Sequence, residues 1–138
     1  MIYSYSIAPQ DLTANDDVVF VIDEIKTGCT VTHVAGTPTF TFNKPGFYYV
    51  TFNGVASATE AATDPIVAQL YNGATAIPGA LSSALSAAVD TPVTLSTSTV
   101  IQVKPSCPAI DNTVNLTVKN VGIAANYTNA TITITKLC

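Results

Sequence analysis

The stretch Asn43-Lys44-Pro45-Gly46-Phe47-Tyr48-Tyr49-Val50-Thr51-Phe52 sets a turn against a strand. Pro presets φ for a turn, and Gly accepts the positive φ that turns often need. The six residues after Gly46 are all aromatic or β-branched, the types that suit a pleated strand. With a period of two, Phe47, Tyr49 and Thr51 share one face and Tyr48, Val50 and Phe52 the other. Both faces therefore carry aromatic rings. One is expected to meet a core and the other a neighbouring subunit.

The same pattern spreads outward from this strand. Upstream, Val18 to Ile22 is an apolar run flanked by the acids Asp16-Asp17 and Asp23-Glu24. Cys29 to Val34 and Thr39 to Phe42 alternate with period two. Downstream, Ile66 to Tyr71 reads as a strand, and Asn72-Gly73 as a hairpin turn. The Ala/Ser-rich segment Leu81 to Val89 has helical spacing but lies among β segments, so a strand is favoured over a short helix. Val93 to Val103 places Leu95, Thr97, Thr99, Ile101 and Val103 on one side. Thr113 to Val121 places Val114, Leu116 and Val118 inward, and Ala130 to Leu137 forms the last strand. The expected fold class is all-β, a sandwich or barrel of about eight to ten antiparallel strands.

Composition bounds the function. The chain has 138 residues, enough for one core, and only 10% are charged. There are five Lys, no Arg and nine acids, for a net charge of −4. Phosphate-backbone binding needs cationic side chains, so nucleic acid is not an expected partner, and neither is a membrane surface. The first residues lack a basic segment followed by an apolar one, so no signal peptide is expected. Thr occurs 21 times and Ala 18 times, while 48% of residues are hydrophobic. A surface so poor in charge points to one hidden against copies of itself or a larger assembly.

The Phe42–Phe52 segment is joined by Leu70-Tyr71-Asn72-Gly73, Ile77-Pro78-Gly79-Ala80 and the closing Asn129-Ala130-Thr131-Ile132-Thr133-Ile134. Together they resemble the C1q/TNF-like jelly-roll superfamily, in particular its small bacterial and phage members. These include virion accessory proteins and spore-surface glycoprotein heads. The resemblance covers roughly residues 16 to 137. It implies a ten-stranded jelly roll, a homotrimer, and a structural or receptor-binding role rather than an enzymatic one. Residues 1–15 are then expected to form an N-terminal arm, and 16–138 a single jelly-roll domain. The chain has no Gly-X-Y stalk. That favours a virion surface component, a capsid decoration or head-fibre protein bound to other virion structural proteins, over a bacterial cell or spore surface. The expected trimer interface comprises Phe47, Tyr49, Phe52, Ile132, Ile134 and Leu137. Tyr3 and Tyr5 are expected in an attachment arm. The alternative is a head module that binds a host receptor or glycan through loops carrying Glu60, Asp64, Asp90, Asp111 and Asn112.

No chemistry stands out elsewhere. His33 is the only His, so a His-based ligand set has no second member. It is either an ordinary strand residue or a pH-sensing one. Cys29, Cys107 and Cys138 form no CxxC and are expected as free thiols, with a Cys29–Cys107 bridge as the alternative. Calcium at Asp111 and Asn112 is open, since hard oxygen ligands need no fixed spacing. Ser lies in no nucleophile motif and Gly in no phosphate loop, so neither a catalytic residue, a cofactor nor a metal is assigned.

Overall fold

The computed structural model describes residues 1–61, 63–107 and 112–138. Its strands are β1 (Ile2–Ser6), β2 (Gln10–Leu12), β3 (Asp16–Asp17), β4 (Ile22–Lys26), β5 (Val31–His33), β6 (Phe40–Phe42), β7 (Gly46–Ala58), β8 (Ile66–Asn72), β9 (Thr75–Ala84), β10 (Pro92–Val103), β11 (Val114–Asn120) and β12 (Ala125–Lys136). They form two antiparallel sheets. The first, sheet A, runs β10-β7-β12-β1-β4, with β2 paired to β12. The second, sheet B, runs β5-β6-β11-β8-β9, with β3 paired to β11. Two five-strand paths packed face to face make the jelly-roll sandwich that the pattern implies.

Alternation decides which residues fill the space between the sheets. Tyr48, Val50 and Phe52 of β7, Ile132 and Ile134 of β12, and Leu116 and Val118 of β11 are all buried. Phe20 and Phe40 meet edge-on at 5.4 Å, and Phe42 meets Tyr48 at 4.7 Å. Tyr48 keeps its polar end satisfied by donating to the Lys44 carbonyl at 2.7 Å. Fully burying a side chain of this size stabilises a fold by about 1.5–3 kcal/mol, so this interior dominates the folding energy.

Several sequence expectations change here. The first fifteen residues are not a free arm. Ile2–Ser6 lies between β12 and β4, with Ile2 opposite Ile134 and Ser6 opposite Ala130. Its apolar signal is weak because only Ile2, Ser4 and Ser6 face the core, and two of these are Ser. Val18 to Ile22 is not one strand. Val18 and Phe20 drop into the core from an irregular segment, and pairing resumes at Ile22. The segment from Leu81 is strand as far as Ala84 and irregular from Leu85 to Val89. The β8–β9 hairpin forms, but its central residues are Gly73 and Ala74, since Asn72 still pairs with Thr75. Only Gly73 has positive φ, 59°, at the first central position, where a type II′ turn needs it.

Candidate functional site

The outward face of sheet A is where sequence and fold converge. Register places Val100, Tyr49 and Thr135 side by side across β10, β7 and β12. The next row is Ser98, Thr51, Thr133, Tyr3 and Ile25, which crosses all five strands. A third row holds Ser96, Asn53, Thr131, Tyr5 and Ile22. None of these thirteen positions is charged. Asp11, whose carboxylate accepts from Asn126 Nδ2 at 2.6 Å, and Glu24, in the irregular step of edge strand β4, stand at the rim.

Large apolar groups lie open on this face. Phe47 is 41% exposed, Tyr49 42%, Val100 54% and Ile25 37%. Tyr3 and Tyr5 sit ring to ring at 5.9 Å, with Ile25 and Ile22 opposite them on β4. Scattered exposed apolar residues are ordinary, whereas a contiguous uncharged face with aromatic side chains is of the kind that marks interaction sites. The Ser and Thr hydroxyls between the aromatic patches can hydrogen bond across a contact without the cost of desolvating a charge.

The expected interface residues separate by the pleat. Phe47, Tyr49 and Leu137 are exposed. Phe52, Ile132 and Ile134 are fully buried in the chain's own core and cannot reach another subunit. They share strands with the outward positions but have the opposite parity. Thr51, Thr131 and Thr133 stand outward beside them instead. Tyr3 and Tyr5 belong to the sheet face, not to an arm. Ile22, Ile25 and Val100 were not expected on it. Ile22 and Ile25 lie in an acid-rich segment, and Val100 lies on the polar side of its own strand. Pairing with Tyr5, Tyr3 and Tyr49 is what collects them.

The expected ligand loops do not form one site. Asp90 has φ 62° and donates its N–H to the Ala58 carbonyl at 3.0 Å, which places it at the end of β7 that leads to Glu60 and Asp64. Asn112 donates to the Pro105 carbonyl at 2.8 Å, at the opposite end of the sandwich. Asp111 lies outside the described residues. Exposed aromatic side chains in the described residues are all on strands, so no described loop offers a ring for stacking on a sugar. Among the described residues, no group of three or more His, Cys, Asp or Glu side chains could hold a metal ion. Cys29, Cys107 and Cys138 are free and exposed. No helix in the described residues is long and apolar enough to cross a membrane.

Ser4, Asp23 and His33 come together at the edge of the sandwich, yet not as a hydrolytic triad. Ser4 Oγ donates to the Asp23 carboxylate at 2.6 Å rather than to the imidazole. Asp23 Oδ1 and the Thr37 carbonyl occupy the two ring nitrogens. A nucleophile needs a ring nitrogen free to take its proton, and both are engaged.

No protein-family model matches the sequence, and no curated protein matches it. Solved structures do. The Eiger TNF from S. frugiperda aligns with a TM-score of 0.69 at 12% identity, over 99% of this chain and 92% of that one. The PRD1 vertex protein P5 aligns with a TM-score of 0.58 at 16% identity, over 99% and 96%. Murine APRIL at pH 5.0 aligns with a TM-score of 0.59 at 11% identity, over 99% and 98%. Identity this low speaks for architecture alone. The chain has the all-β fold of the C1q/TNF-like jelly rolls, a fold that it shares with a phage vertex protein.

Proposed function

We propose that this chain is a non-enzymatic structural protein of a virion, a homotrimeric capsid decoration or head-fibre component exposed on the particle. The uncharged, partly aromatic outward face of sheet A supports this reading most directly. A lone subunit would leave that face in water. The likeness to the PRD1 vertex protein P5 supports the virion setting, and the C1q/TNF-like resemblance supports threefold symmetry.

The physical case for a closed ring rests on two unlike surfaces. Besides the sheet A face, Leu81 and Leu85 are exposed at the β9 edge. A contact between unlike patches is heterologous and yields either a closed ring or an open filament. A ring of three covers every copy of the face and keeps the particle finite. Mass determination in solution at micromolar concentration checks this. A species three times the mass of the chain is expected, and a monomer would refute the trimer. Antibody-labelled electron microscopy of the parent particle should then decorate the capsid surface.

A further inference from the structure

One side of the sandwich is closed by a polar cluster between the edge strands β4 and β5, one from each sheet. The His33 side chain is completely buried. Its ring stacks on Phe40 with centroids 4.0 Å apart and planes 9° from parallel, and meets Phe20 edge-on at 6.5 Å. Nδ1 is 2.5 Å from Asp23 Oδ1, and Nε2 is 2.9 Å from the Thr37 carbonyl oxygen. A carbonyl oxygen only accepts, and so does an ionised carboxylate. A neutral imidazole carries one N–H. Beside an ionised Asp23 it would leave one lone pair facing an oxygen in a site that water does not reach.

We infer that Asp23 and His33 together hold two protons in the folded chain and act as a proton-dependent latch between the β4 and β5 edges. One proton lies on Nε2, toward Thr37. The other lies on Nδ1, which donates it to the Asp23 carboxylate. The contacts of Asp23 favour its ionised form, which keeps the shared proton on Nδ1. Asp23 also accepts from Ser4 of β1, and Lys26 of β4 places Nζ 3.7 Å from Asp23 Oδ2. Lys26 Nζ donates in addition to the His33 carbonyl at 2.6 Å, a second tie between the same two strands. Burial raises the Asp23 carboxyl, but the hydrogen bonds from Ser4 and His33, with the charges of His33 and Lys26, outweigh it and hold it below the ordinary range. Among the described residues, Asp23 and Lys26 are the titratable groups that face His33. β6 presents Phe40, and the connecting segments present Phe20 and the Thr37 carbonyl.

The linkage has a definite sign. In the unfolded chain His33 releases its second proton near the ordinary value of about 6.5. With both ring nitrogens facing oxygen acceptors, the folded pair binds one proton more than a neutral imidazole does, so the latch weakens as pH rises. On the acid side the depressed Asp23 acts in the opposite sense. Its contribution is present above about 3.9 and is lost as pH falls through its folded value. Release of the latch removes a tie between the β4 and β5 edges, while β4 stays paired with β1. The inference itself depends only on the sheet edges and not on the assembly.

The test uses the intact chain at one fixed concentration. Nitrogen-15 NMR of the imidazole at pH 7 should show both ring nitrogens carrying protons. Urea unfolding at pH 6 and pH 8.5 should show the unfolding constant of the wild type rising at least tenfold more than that of His33→Gln. A singly protonated neutral ring at pH 7, or equal pH slopes in the two proteins, would overturn the latch. If His33→Gln does not fold, the NMR spectrum of the wild type decides alone.

Discussion

At the scale of single residues, buried polar atoms show which side chains the fold depends on. Asn120 is fully buried. Its amide nitrogen donates to the Ile123 carbonyl at 2.8 Å and to the Leu12 and Thr13 carbonyls at 3.3 Å, while its oxygen accepts from Tyr127 at 3.0 Å. One side chain thus ties β11 to β2 and β12. Burial pushes the Tyr127 phenol well above its ordinary value, so it stays a donor through neutral and mildly alkaline pH. Asn120→Ala should cost about 3 kcal/mol in urea unfolding, because several buried groups lose their partner at once. The Thr117 hydroxyl, by contrast, is buried and finds no hydrogen-bond partner among the described residues. Thr117→Val should leave stability within about 1 kcal/mol of wild type or raise it, in the same measurement. Asn120 lies in a strand pattern that predicts an inward residue there, but its partners come from Leu12, Thr13 and Tyr127, which no local pattern connects.

At the scale of elements, the turn before β7 fastens the start of that strand to the end of β12. Gly46 has φ 143°, a conformation that favours glycine. A β-carbon on it would run into the Cys138 carbonyl oxygen and approach Lys136 Cε to 2.7 Å. The N–H of Phe47 donates to that Cys138 carbonyl at 3.1 Å, and the N–H of Leu137 donates to the Phe47 carbonyl at 2.8 Å. Gly46→Ala therefore strains the turn and also pushes the chain's last residues off the start of β7. A loss of at least about 2 kcal/mol is expected, read as a lower unfolding midpoint. The turn is evident from Pro45-Gly46 alone. That its glycine also makes room for the end of β12 emerges only from the pairing of strands about ninety residues apart in sequence.

At the scale of the whole molecule, the pleat of β7 separates folding from assembly. Tyr49 faces outward and Phe52, three positions on, faces the core. If the proposed trimer uses this face, Tyr49→Lys should leave the β-sheet circular dichroism unchanged and shift trimer to monomer at concentrations where the wild type stays intact, since it sets a charge on an uncharged surface. Phe52→Ala should instead cost about 3–5 kcal/mol of fold stability, as large-to-alanine changes in a core do. Sedimentation of both variants, together with their unfolding curves, checks the contrast. A Tyr49→Lys protein that sediments like wild type would place the contact elsewhere.

The sequence by itself determined the all-β class, the long strands, the parity of their faces and the shortage of charge. Each follows from local periodicity and composition, which the chain carries without reference to its folded neighbours. Only the tertiary structure decided that Ile2–Ser6 is an inner strand, that Phe52, Ile132 and Ile134 belong to the core, and that Asp23 meets His33. Those facts depend on which strands become neighbours across long separations in sequence. Hydrogen-bond register and the closing of the two sheets set that pairing, and no short window of residues contains it.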